Sequence, residues 1–139
     1  MEKSKHFTID ELLPPHVATY WGERGWMFLD PRLLVIIDEL REYINRPVIV
    51  NSKAYGRQWS GFRTPEYKKY SPMSQHSHGR AIDGVGDWSP EEIRQDILVG
   101  KINFTYSVTI ETHDVTPDHD WLHIDVRNNT GFINEFKVN

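Results

Sequence analysis

The stretch Asp118-His119-Asp120-Trp121-Leu122-His123-Ile124-Asp125-Val126 decides how the chain is read. Leu122, Ile124 and Val126 fall two residues apart, so in an extended chain they share one face and point into a core. Trp121, His123 and Asp125 then share the opposite face. One short strand thus carries an apolar side and a side equipped with a tryptophan, an imidazole and a carboxylate.

Working outward, Tyr106–Glu111 reads as a further strand and Arg80–Asp83 as a short one. Pro47–Asn51 (PVIVN) is apolar and β-branched, which also predicts a strand, and the tail 132–138 predicts one at an edge. Thr8 followed by Glu11 has capping-box spacing, and Pro14-Pro15 is expected to end that first short helix. Asp30-Pro31 opens a helix over 31–45, because Leu33, Ile37, Leu40 and Ile44 recur at helical spacing. Ser89-Pro90-Glu91-Glu92 opens another, with Gly100 as its stop. Residues 52–79 hold Gly56, Gly61, Pro65 and Pro72 among polar residues and read as one long loop, a feature often tied to function. This order predicts an α+β fold, a mainly antiparallel sheet with helices packed against it, in a single domain over residues 1–139.

Composition narrows the function. With 139 residues, 38% of them hydrophobic, the chain can bury a core without disulfides or a structural metal. It has no cysteine, so any metal must be held by His, Asp or Glu. The formal net charge is -4 and the Lys and Arg residues are scattered, which argues against nucleic acid as the main partner. No stretch approaches the roughly 20 apolar residues of a membrane span. The polar start MEKSKHFTIDELLPP lacks the apolar core of a signal peptide, so synthesis in the cytoplasm is expected.

The chemistry concentrates in two clusters. In Ser74-Gln75-His76-Ser77-His78-Gly79-Arg80-Ala81-Ile82-Asp83, a loop histidine and an aspartate entering a strand can offer two ligands to one metal. His76 and His78 lie two apart, and spacing alone does not choose between them. In the second cluster His123 can supply a third ligand, and Asp125 can orient a ligand from behind. Asp120 has the wrong parity for that face unless the strand begins at Trp121 or bulges there. Glu111, at a strand end, is an alternative base or a supporting partner. His113 and His119 compete for ligand roles, with His119 read as a solvated loop residue. The five tryptophans are read as core or rim packing ahead of a glycan groove.

Together, SxHxxGxAxD (Ser74 to Asp83) and the downstream D-x-x-H (Asp120, His123) resemble the LAS family of zinc peptidases. That family includes D-Ala-D-Ala carboxypeptidases, D-Ala-D-Ala dipeptidases and phage L-alanyl-D-glutamate endopeptidases. Ser60-Gly61-Phe62-Arg63-Thr64-Pro65 is similar to the SGxR stretch that precedes its histidine motif. The resemblance implies His76, Asp83 and His123 as zinc ligands, favouring His76 over His78. It implies Asp120 as the catalytic carboxylate and Arg63 as the cation that meets the substrate carbonyl or a nearby carboxylate. Ser74, Asp125 and Glu111 are the candidates to support the ligands.

Three protein ligands leave a tetrahedral position open for water, the pattern of a catalytic zinc. The function so implied is hydrolysis of amide bonds in peptidoglycan stem peptides by a metal-activated water with Asp120 as general base. No obligate protein partner, nucleic acid or membrane is expected, and action on the wall would follow release from the cell. The alternative is a non-catalytic binding or virion structural module that keeps the peptidase fold.

Overall fold

A computed structural model of the chain describes residues 1–112, 120–127 and 133–137. The N-terminal third is helical. In α1 (Ile9–Leu12) the Glu11 carboxylate accepts from the Thr8 backbone N–H at 2.7 Å, the reciprocal half of a capping box. The proline pair both ends α1 and starts the next helix: Pro14 caps α2 (Pro15–Trp21), with Pro15 at its first position. A 3-10 segment, Gly22–Phe28, follows. The sequence reading missed α2 and this segment, because neither has a long apolar period.

The Asp30 side chain accepts from the Arg32 backbone N–H at 2.9 Å and opens α3 (Pro31–Ile44). Leu33, Leu34, Ile36, Ile37 and Leu40 form its buried face. The helix stops one residue before the expected end, where Asn45 turns to φ 54°. Serine capping at Ser89 opens α4 (Pro90–Leu98), and Gly100 beyond its end takes φ 79°, as the stop signal predicted.

Among the described residues four strands form one sheet: β1 (Ala81–Gly84), β2 (Val108–Thr112), β3 (Leu122–Asp125) and β4 (Ile133–Lys137), in the order β1-β3-β2-β4. The β1–β3 and β3–β2 pairings are antiparallel, and β4 lies at the edge parallel to β2. The fold is therefore α+β with a mainly antiparallel sheet. Leu122, Ile124 and Val126 are all fully buried and join α3 residues in one apolar core. Among the described residues no helix is long and apolar enough to cross a membrane.

Pro47–Asn51 is not a strand. It makes a single bridge, Ile49 to Val85, with N–H to carbonyl distances of 2.7 and 3.0 Å. The pairing stops because the next groups are taken elsewhere. The Asn51 N–H donates to the Glu11 carbonyl, and Arg57 Nε donates to the Val50 carbonyl, each at 2.9 Å.

The long loop 52–79 is irregular but tied down. Phe62 N–H donates to the Leu12 carbonyl at 2.9 Å, and Asp83 N–H to the Ser60 carbonyl at 2.8 Å. Asn51 bridges the two regions: its amide donates to the Leu13 carbonyl at 3.0 Å and accepts from Ser60 N–H at 2.9 Å. The approach is so close that a Cβ on Gly61 would lie 2.2 Å from the Leu12 carbonyl oxygen. Only glycine fits there.

Candidate metal centre

Three elements deliver three side chains to one point. A 3-10 turn, Gln75–His78, opens with Ser74, whose Oγ accepts from the His76 N–H at 3.3 Å. Gly79 closes it at φ 66°, with room for no Cβ, since that atom would lie 1.9 Å from the Phe28 carbonyl oxygen. The turn buries the His76 side chain and sends the next strand, β1, past it with Asp83 in third place. Antiparallel pairing then sets Asp83 opposite His123 of β3.

One ligand atom each from His76, Asp83 and His123 lies within 4.8 Å of the others. His76 Nε2 is 3.2 Å from Asp83 Oδ1, and His123 Nδ1 is 2.9 Å from the same oxygen. The far side of each ring is also occupied. His76 Nδ1 faces the Gly61 carbonyl at 2.9 Å, and a carbonyl only accepts, so that nitrogen carries the proton. His123 Nε2 faces the fully buried Asp125 carboxylate at 2.8 Å and is a donor by the same logic. The nitrogens turned toward Asp83 are thus the ones a metal would take, with orientation held from behind as metal-binding histidines require. Two imidazoles and a carboxylate fit a divalent ion such as zinc, and the set alone does not distinguish zinc from its neighbours.

Charge reinforces the arrangement. Burial alone would raise the Asp83 carboxyl, but the charge and hydrogen bonds of His76 and His123 outweigh it and hold the group far below the usual carboxylate range. Burial opposes charge on His123 as well. There the Asp125 and Asp83 carboxylates prevail, pushing the imidazole up to about 9 in the metal-free chain. Asp125, despite its burial, is held low by Arg127, whose Nε donates to it at 2.9 Å, and by His123.

A cleft of about 380 Å³ opens over the three residues, and Arg63, Ser74, Gln75, Glu111, Trp121 and Arg127 help to line it. Arg63 Nη2 donates to Asp83 Oδ2 at 3.2 Å, so the carboxylate gives one oxygen to the histidines and the other to the guanidinium. Glu111 Oε2 lies 3.7 Å from His123 Nδ1. Ile110 pairs with Ile124, so the register carried one step further sets Glu111 beside His123, across β3 from Asp83.

His78 is exposed and its Nε2 bonds to the Pro72 carbonyl at 2.9 Å, outside the group. Asp120 is exposed and is not among the described residues lining the cleft. Because β3 begins at Leu122, Asp120 lies in the approach to the strand, and the parity of the ladder does not govern it. His113 and His119 lie outside the described residues. Sequence reasoning missed Arg127, although alternation from His123 through Asp125 places it on the same face.

No family model, curated protein or solved structure matches the chain.

Proposed function

We propose that the chain is a zinc-dependent peptidase that hydrolyses amide bonds in peptidoglycan stem peptides. The observation that supports it best is the convergence of His76, Asp83 and His123, with each ring held from behind by Gly61 or Asp125. Three protein donors suit a catalytic rather than a structural zinc. Bound there, zinc would supply Lewis acidity and lower the pKa of water to about 7.

The chain's own residues supply the rest. Arg63 donates to the substrate carbonyl oxygen as it gains charge, which such preset donors favour. Asp120 takes a proton from the attacking water and returns one to the departing amine. The choice of stem peptides rests on the SGxR, SxHxxGxAxD and D-x-x-H patterns of residues 60–63, 74–83 and 120–123.

A second reading, a binding or virion structural module that keeps the metal, draws on the exposure of Asp120 outside the cleft. Purified peptidoglycan separates the two, treated with and without a chelator and followed by mass analysis of released peptides. Chelator-sensitive release with new amino termini supports the peptidase and identifies the bond. Intact material from several wall chemotypes, under zinc-replete conditions, supports the module.

A further inference from the structure

Arg63 is gripped on several sides. Its backbone N–H donates to the His76 carbonyl at 3.2 Å. Its Nε donates to the Trp59 carbonyl at 2.7 Å and its Nη2 to Asp83 Oδ2 at 3.2 Å. The guanidinium carbon lies 4.9 Å from the centre of the Tyr67 ring. Tyr67 in turn stacks on Trp59, with ring centres 5.2 Å apart and planes inclined by 25°. Trp59 therefore touches Arg63 twice, through its own carbonyl and through the ring it supports. Nη1 makes no hydrogen bond among the described residues, and Arg63 lines the cleft, so Nη1 has both of its hydrogens left for a ligand.

The two side-chain hydrogen bonds hold the Nε and Nη2 edges but leave the guanidinium plane free to tilt, and that freedom works against a donor that must meet one oxygen. An aromatic face beneath the guanidinium removes it, because planar Arg stacks on a π surface while its edge donors stay available. We infer that Tyr67, backed by Trp59, is a positioning residue that holds the Arg63 guanidinium at the angle from which Nη1 reaches the substrate. This rests on the reading of Arg63 as the cation that meets the carbonyl oxygen. The contact needs the ring and not the hydroxyl.

The test compares Tyr67→Phe with Tyr67→Leu in the full chain, each checked for folding by circular dichroism and for zinc content. The first measurement needs no turnover: the ¹⁵N–¹H resonance of Arg63 Nε, assigned by its loss in Arg63→Lys. Tyr67→Phe should keep its chemical shift and its slow exchange with water. Tyr67→Leu should lose the ring-current shift and exchange faster. The second is kcat/KM on stem peptide: about a tenfold loss in Tyr67→Leu, the size of a cation–π contact, and near wild-type values in Tyr67→Phe. In the Arg63→Lys background, Tyr67→Leu should cost almost nothing more, because the partner it positions is gone.

An unchanged Arg63 Nε signal in folded Tyr67→Leu overturns the inference. So does an equal loss of activity in Tyr67→Phe and Tyr67→Leu. A wild-type chain that cleaves nothing would fail the peptidase reading instead, and the resonance alone would then decide the role of Tyr67.

Discussion

Asp83 and His123, forty residues apart in sequence, are cross-strand partners, and Oδ1 of the first lies 2.9 Å from Nδ1 of the second. The register of two short strands thus does the work of assembly. A slip of one residue would send His123 into the core and Ile124 into the cleft, because side chains alternate faces. Burial of Leu122, Ile124 and Val126 on the other face opposes that slip.

Asp125 is expected to control metal affinity without touching the metal. It fixes His123 from behind at 2.8 Å, so Asp125→Asn should weaken zinc binding about 10–100-fold while the chain stays folded. Competition with a chromophoric chelator measures this. Unchanged affinity would remove Asp125 from the centre.

The pH dependence follows from His123. Its imidazole is pushed up to about 9 in the metal-free fold, above the ordinary value of 6.5. The folded state then binds the proton more tightly than the unfolded chain does. That stabilisation is fully present below about pH 6.5 and is lost as pH rises through about 9. Denaturant titrations of chelated protein across this range should show the decline. A metal held by Nδ1 would displace its proton, so zinc binding between pH 6.5 and 9 should release a proton, read by calorimetry in buffers of different ionisation enthalpy.

Two substitutions divide the chemistry from the metal. Asp120→Asn should abolish turnover and leave zinc stoichiometry unchanged. Arg63→Lys, which loses the planar fork, should lower kcat about 10²-fold or more, as loss of one preset oxyanion donor does elsewhere. Steady-state kinetics on stem peptide with parallel metal analysis checks both. An active Asp120→Asn protein would move the base to another carboxylate, with Glu111 in the cleft as the next candidate.

Gly61 links scaffold and site. Its carbonyl orients His76, and a Cβ there would meet the Leu12 carbonyl at 2.2 Å. Gly61→Ala should therefore destabilise the fold by about 1–3 kcal/mol, the cost of overpacking a tight contact, and weaken zinc binding as well. Thermal melts with and without zinc separate the two effects.

Much of this was legible in the residues. The alternation over 121–126 placed His123 and Asp125 together, and capping at Asp30 and Ser89 located two helices within a residue. What escaped depended on how irregular backbone folds, which no apolar period records. Pro47–Asn51 has strand composition, yet its backbone groups go to Glu11 and Arg57, and no local pattern shows that. His76 and His78 were equal by spacing, and only the turn from Ser74 to Gly79 turns one inward and leaves the other exposed. Tyr67 carried no signal at all: Arg63 is only four residues away, but nothing in an irregular loop says which ring folds beneath its guanidinium.

Whether His76, Asp83 and His123 form one open metal centre is decided by X-ray absorption at the zinc edge on protein loaded with zinc to saturation. One zinc per chain is expected, with two imidazole nitrogens, carboxylate oxygen and a further light-atom ligand from solvent at about 2.0–2.2 Å. The signal from either imidazole should be lost in His76→Ala and in His123→Ala, and kept in His78→Ala. A chain that retains no stoichiometric zinc, or one whose zinc keeps both imidazoles when His76 or His123 is removed, would contradict such a centre.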